Sequence, residues 1–279
     1  MIVALHSFPK RSLSINPPYS NENLIDLLKE ASSLDFRAVE IGPLADYLPI
    51  DGERLGRVLN TLRLKRSAHV GGTCDAEKLA SSNEEYAKTK HQIIKGIKLC
   101  RQISSSSVSI HPPFFTGTEE ASEELASKAK YRFTNLVREV IELADHNHVK
   151  VALESFCYRP FIFKSSGEFM RFVSQFPEEK LGILMDVGHL YQMGINLDDA
   201  TQLFKNRLSD VHIHDALLNQ DFRKATHLPI GKGTVDFGHF TNLLRKIGYG
   251  GWLTLEMRGS KEEIVQSKTL LEKLIRSAR

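Results

Sequence analysis

Six short apolar runs in this 279-residue chain each end in a residue that can bind a metal ion or move a proton. LGILMDVGHL, Leu181 to Leu190, breaks off at Asp186, with Gly188 and His189 just beyond. VALES ends in Glu154, and WLTLEM carries Glu256. DVHIHD carries His212, His214 and Asp215, SVSIHPP ends in His111, and RSAHVGG ends in His69. Carboxylates and imidazoles are the ligand types of Mn²⁺, Mg²⁺ and Zn²⁺ sites. Carboxylates crowded together without a cation would repel and hold on to their protons. Taken singly, each ending could be a polar cap bonded to nearby backbone N–H groups. Six on six separate runs point to a ring of strands whose ends converge.

The runs have the character of strands buried on both faces, as in a parallel sheet. Ile2 to Leu5 reads as the first strand and ends at His6. Arg37 to Ile41 is the second, with Glu40 near its end. Ser67 to Val70, Val108 to Ile110, Lys150 to Leu153, Leu181 to Met185, Leu208 to His214 and Trp252 to Met257 follow. Between them lie helical stretches with apolar residues at helical spacing: Asn23 to Leu34, Gly52 to Leu64, Ser82 to Gln102, Glu119 to His146, a stretch to Phe176, one to Phe204, and Phe237 to Ile247. A last amphipathic helix spans Ser260 to Ser277. Eight strand–helix units with no linker or composition break predict one α/β domain over 1–279, a (β/α)8 TIM barrel of parallel strands. An open doubly wound sheet is the alternative. In such a barrel the chemistry sits at the carboxyl ends of the strands, where these residues fall.

Composition is ordinary for a globular chain, 41% hydrophobic and 25% charged, and the net charge of +3 is too mild to imply nucleic acid by itself. Cys74, Cys100 and Cys157 are odd in number and form no CxxC pair, which argues for a reducing compartment. The N-terminus lacks a signal-peptide pattern, and no run approaches the roughly 20 apolar residues of a membrane span. The expectation is a cytoplasmic protein with no membrane partner.

Glu154, Asp186, His212 and Glu256, from four successive strands, form the expected metal set. His189 can face the same cavity as a ligand of a second metal or a proton donor. His69 and His111 on adjacent strands could hold a further ion. His212 and His214 share a strand face, so His214 could be ligand, support or base. His227 precedes Gly231-Lys232-Gly233, where the glycines permit a tight turn and Lys232 could reach an anion. Arg258, two residues past Glu256, could bind a substrate oxygen. His6 and Glu40 complete the expected substrate-binding set with His214, Lys232 and Arg258. The aromatic and basic loop Phe156 to Lys164 could cover a substrate or form a homodimer contact.

Glu154 in ALES, Asp186 and His189 in MDVGH, His212 in VHIHD, His227 in HLPIGKG and Glu256 in LTLEM resemble the xylose-isomerase-like barrel proteins. These are sugar and sugar-phosphate isomerases and epimerases, together with AP endonucleases of the endonuclease IV type. The resemblance covers nearly the whole chain and is densest from Leu153 to Arg258. In the isomerase branch it implies one divalent metal on Glu154, Asp186, His212 and Glu256. Glu154 and Glu256 would be the acid–base pair, working through a metal-stabilised enediolate, and His189 would bind a substrate hydroxyl. In the endonuclease branch it implies three zinc ions on His69, His111, Glu154, Asp186, His189, His212, His227 and Glu256. One further ligand, an Asp two residues before His227, is replaced here by Ala225, unless Asp221 or Asp236 reaches in. Ala216 stands where a serine is expected, and Lys232 where both branches often place Glu.

Two functions follow. The first is a divalent-metal-dependent isomerase or epimerase of a small sugar, sugar phosphate or keto acid. The second is a zinc phosphodiesterase on abasic DNA. Lys164, Arg159, Arg223, Lys224 and Lys232 are scattered rather than gathered in a stripe, which favours the small molecule. A barrel that binds metal or sugar without turnover is the remaining possibility.

Overall fold

The computed structural model describes residues 1–6, 20–44, 49–71, 74–115, 122–155, 162–218 and 225–277. Eight parallel strands close into a barrel in sequence order, the first pairing with the eighth. They are β1 (Ile2–His6), β2 (Ala38–Ile41), β3 (Lys65–His69), β4 (Ser107–Ile110), β5 (Lys150–Ser155), β6 (Leu181–Asp186), β7 (Leu208–Ile213) and β8 (Trp252–Leu255). The expected α/β barrel is therefore the observed architecture. Its strands are buried on both faces because helices cover the outside and side chains fill the inside. All six residues of β6 are buried.

The outer layer, among the described residues, comprises α1 (Asn21–Ser33), α2 (Gly52–Thr61), α3 (Ala76–Ser81), α4 (Asn83–Ile103), α5 (Glu123–His146), α6 (Ser166–Val173), α7 (Val187–Gln192), α8 (Leu197–Phe204), α9 (Phe237–Lys246) and α10 (Lys261–Ser277). Most begin at a side-chain cap. Ser20, Ser82 and Ser165 accept backbone N–H groups at the starts of α1, α4 and α6, and Ser20 forms a reciprocal capping box with Asn23. Phe163, Phe169, Phe172 and Phe204 pack ring against ring between β5, β6 and their helices. Each fully buried ring contributes about 1.5–3 kcal/mol.

Two helices were not expected from the sequence. Short α3 precedes α4, and α7 starts directly at the end of β6. Both are six residues long, too short for an apolar period to declare itself. Phe163 was expected in a loop that covers a substrate or forms a homodimer contact, but it is buried in the aromatic core. The rest of that loop, 156–161, lies outside the described residues, as do Asp221, Arg223, Lys224 and Cys157. Cys74 and Cys100 are buried free thiols, pushed up to about 12 by burial and so protonated. Among the described residues, no helix is long and apolar enough to cross a membrane.

Candidate metal centre

Register brings the site together. In a parallel barrel, paired residues point the same way. Asp186 pairs with His212, His6 with Glu40, and His69 with Ser109. Seven of the eleven histidines, His6, His69, His111, His189, His212, His214 and His227, meet Glu40, Glu154, Asp186 and Glu256 at one end of the barrel. All are buried except His111, which is partly open.

The donors fall into overlapping groups whose ligand atoms lie within 4.8 Å of one another. They are His69–His111–Glu154, Glu154–Asp186–His189, Asp186–His212–Glu256, His189–His214–His227 and Glu40–His69–His212. The expected four-residue metal set thus spans two of these groups, joined at Asp186. His69, His111, His189 and His227, expected as additional ligands, all adjoin it.

Distances show how the set is held. Glu154 Oε2 lies 2.8 Å from His111 Nε2 and 4.0 Å from His69 Nε2, and its Oε1 lies 3.7 Å from His189 Nδ1. Glu256 Oε2 lies 3.0 Å from His212 Nδ1 and 4.0 Å from His227 Nδ1. Yet Glu154 Oε2, Asp186 Oδ2 and His212 Nδ1 are buried polar atoms with no aligned hydrogen bond. Carboxylate and imidazole atoms that crowd together in this way are the arrangement of neighbouring ligands around a cation. Burying such atoms unpaired would otherwise cost about 1–3 kcal/mol each, more for charged groups. The donor set therefore fits a divalent ion.

Asp186 has a second task. As the N-cap of α7, its Oδ1 accepts the backbone N–H of His189 at 2.7 Å. The cap turns the chain at the strand end and swings His189 back over the barrel. His227 is held as firmly. It sits at a φ of 55°, its Nδ1 is 2.9 Å from the Glu256 carbonyl oxygen, and its own carbonyl accepts from Arg258 N.

Glu40 and His6 were expected to bind substrate. Glu40 Oε2 accepts from His212 Nε2 at 2.6 Å, and Oε1 accepts from the Ser109 hydroxyl at 3.0 Å. Ser109 Oγ in turn lies 2.8 Å from His69 Nδ1. One carboxylate thereby orients two candidate ligands, the supporting arrangement of carboxylate, imidazole and metal. His6 Nε2 lies 3.6 Å from the same carboxylate. Lys232 and Arg258 are exposed.

The glycine turn serves the chain's own carboxylate. Asp215 Oδ1 accepts from the N–H groups of Ala216 and Val235, and Oδ2 accepts from Gly231. A Cβ at position 233 would stand 2.3 Å from Asp215 Oδ1. The backbone N–H groups of this turn are thus taken up within the loop. Asp236, raised as a replacement ligand, caps α9 through its Oδ1 and is exposed.

Charges follow the contacts. Burial opposes ionisation of Glu40, but the neighbouring His212 outweighs it and holds the carboxyl down at about 2. Burial likewise opposes ionisation of Glu154 and Glu256, and His111 and His212 respectively hold them well below 4.5. His212 resists burial because Glu40 and Glu256 flank it, and it is raised well above 6.5. Burial, then His111, pushes His69 down to about 4. One layer deeper, burial and then the Glu40 charge push Asp210 up to about 7.

Ser109 and Asp210 were not singled out from sequence. Each stands two residues before a candidate ligand, His111 and His212, and the two-residue strand period puts it on the same inward face.

The xylose isomerase-like TIM barrel family model matches residues 28–277. The chain belongs to that family. It is similar to inosose isomerase of Halalkalibacterium halodurans, 24% identical over 152 residues that cover 52% of this chain and 53% of the relative. It is also similar to a probable endonuclease 4 of Persephonella marina, 22% identical over 218 residues, 72% of this chain and 73% of the relative. The chain spans about two thirds or less of the length of the first curated relatives it matches. Among solved structures, a D-tagatose 3-epimerase-like protein superposes with a TM-score of 0.81 at 22% identity, covering 100% of this chain and 98% of that one. At that identity the likeness speaks for the fold.

Proposed function

We propose that this family member is a divalent-metal-dependent isomerase or epimerase acting on a small sugar, sugar phosphate or sugar-derived keto acid. The observation that carries the reading is the convergence of Glu154, Asp186, His212 and Glu256 in two overlapping groups that share Asp186. These four residues would hold the ion. When bound, a divalent cation draws electron density from a substrate carbonyl and makes the adjoining C–H more acidic.

The protein's own groups do the rest. Glu154 and Glu256 are ionised in a buried pocket, so each can accept a proton from carbon and return it. They arrive from β5 and β8, on either side of the Asp186–His212 pair contributed by β6 and β7. Two bases approaching from different directions suit an epimerase, which removes a proton on one face and restores one on the other. His189, anchored by Asp186, is within reach of Glu154 and is assigned to a substrate hydroxyl. Glu40 and Ser109 keep His212 and His69 in position. Burial of the whole set excludes bulk water from the transfer. Lys232 and Arg258, exposed on the loops beyond the cluster, are assigned to the outer part of the substrate.

The first test is turnover of a ketose and keto-acid panel by the metal-supplemented protein and its Glu154→Gln variant. The reading expects loss of turnover with the fold retained. A fully active variant would sink the proton-transfer mechanism.

The His69–His111–Glu154 group favours a second reading, a zinc phosphodiesterase at abasic sites in DNA. Against it stand Ala225 in place of the expected aspartate, and Asp236 committed to its helix. Metal-dependent cutting of an abasic duplex, weakening steeply with salt, would make it the leading reading. No cutting with zinc or manganese supplied would remove it.

A further inference from the structure

A groove of about 450 Å³ opens in the outer helical layer, between α4 and α5. None of the candidate metal ligands lines it. Its volume falls within the roughly 300–1,000 Å³ of small-molecule sites. Two arginines line it, and among the described residues each donates only to neutral oxygens. Arg132 Nη2 donates to the Ser82 carbonyl oxygen and to Asn83 Oδ1, both at 3.0 Å. Its guanidinium lies over the Tyr86 ring, 5.1 Å from the centroid. These contacts fix the cation without neutralising it. Arg138 Nη1 donates to Asn135 Oδ1 at 3.3 Å. The one carboxylate in the lining, Glu139, is already engaged. Its Oε1 accepts from the Tyr86 hydroxyl at 2.7 Å, and its Oε2 pairs with Lys90.

The polar groups left over are therefore donors. The side-chain oxygens of Asn83, Asn135 and Glu139 each have a partner inside the groove wall. The amide N–H groups of both asparagines, Nη1 of Arg132 and Nη2 of Arg138 bond to no protein atom among the described residues. Arg132, Arg138 and Lys90 outweigh the single charge of Glu139. Spare donors and excess positive charge suit the oxygens of a phosphate. An aromatic face stands beside them. Tyr131 is the most exposed large hydrophobic side chain among the described residues, at 69%. A ring left to water in this way is a platform on which another flat ring can stack.

We infer that the groove between α4 and α5 binds a nucleoside phosphate, with the phosphate oxygens on Arg132 and Arg138 and the base stacked on Tyr131. Asn83 and Asn135 add amide donors for the sugar and base. The inference uses no residue of the barrel interior, so it stands or falls apart from the proposed function.

Calorimetric titration of the full chain with ADP tests it, with adenosine and pyrophosphate as the two halves of the ligand. The inference expects a single ADP site, tighter than the site for either half. Arg138→Gln removes a charged donor and should weaken ADP binding about 10-fold or more. Tyr131→Ala removes the stacking face and should weaken it about 5-fold or more, while pyrophosphate binding stays as in wild type. Both side chains are exposed, so the fold should tolerate either change. Glu256→Gln should bind ADP as wild type does, which separates the groove from the barrel interior. The inference is overturned if ADP fails to bind at millimolar concentration, if both groove variants bind it as tightly as wild type, or if Glu256→Gln alone loses it. Pyrophosphate binding as tightly as ADP would overturn it too, since the ring would then contribute nothing.

Discussion

Replacing Glu40 by Gln removes a charge while keeping nearly the same shape, and so isolates what the carboxylate does for the ligands it touches. Glu40 Oε2 is 2.6 Å from His212 Nε2, a short charge-assisted contact with no solvent access. Hydrogen bonds of that kind contribute about 1.5–3 kcal/mol, against about 0.5–1.5 for a neutral pair. The Gln carbonyl can still accept from His212, so the fold should survive and the difference is about 1–2 kcal/mol. A loss of that size in ligand basicity and orientation corresponds to zinc or manganese binding weakened about 5- to 30-fold, which overlaps the roughly 10- to 100-fold range of supporting carboxylates. Ser109→Ala, which touches His69 through one neutral hydroxyl, should weaken binding less. Competition titration against a chromophoric chelator at neutral pH measures both, with circular dichroism to confirm the fold. Affinity in Glu40→Gln within a factor of about two of wild type would refute the claim that Glu40 supports a metal ligand.

Gly188→Ala should displace the His214 ring, whose Cε1 would stand 2.0 Å from the new Cβ, and destabilise the chain by about 1–3 kcal/mol, as thermal unfolding would register. Asp215→Ala strips the acceptor from three backbone N–H groups and should cost about 3 kcal/mol or more, with turnover falling because His227 loses its anchor loop. Asp210 keeps its proton to about pH 7 when folded but gives it up near 3.8 when unfolded. The folded state therefore binds more protons between those values, and its stability falls as pH rises through that window. At roughly 1.4 kcal/mol per tenfold the loss amounts to at most about 4 kcal/mol. Asp210→Asn should flatten that slope in denaturant titrations, gaining stability at pH 8 relative to wild type and little at pH 4.

The barrel was legible because its signal repeats. Each buried strand is a short apolar run ending in a chemical residue, and eight such runs separated by amphipathic stretches leave few topologies. That Glu154, Asp186, His212 and Glu256 meet at one end was legible for the same reason, since a strand end in a closed barrel has one place to point. What the sequence concealed depends on contacts between distant strands. Glu40 looks like any strand-end carboxylate until the barrel brings His212 against it from 172 residues away. The glycine turn around Lys232 reads as a candidate anion site, and only the folded backbone shows that its N–H groups bond to the Asp215 side chain. His214 was open among ligand, support and base because its ring position depends on the absence of a side chain at Gly188.

Proton exchange tests the central claim most directly. The metal-supplemented protein is incubated in D₂O with a panel of ketoses, ketose phosphates and keto acids, and deuterium next to the carbonyl is followed by NMR. The account predicts exchange into at least one substrate, abolished in Glu154→Gln and in Glu256→Gln even at saturating metal. Turnover of a sugar with no solvent deuterium entering carbon, or exchange undiminished in both variants, would contradict it.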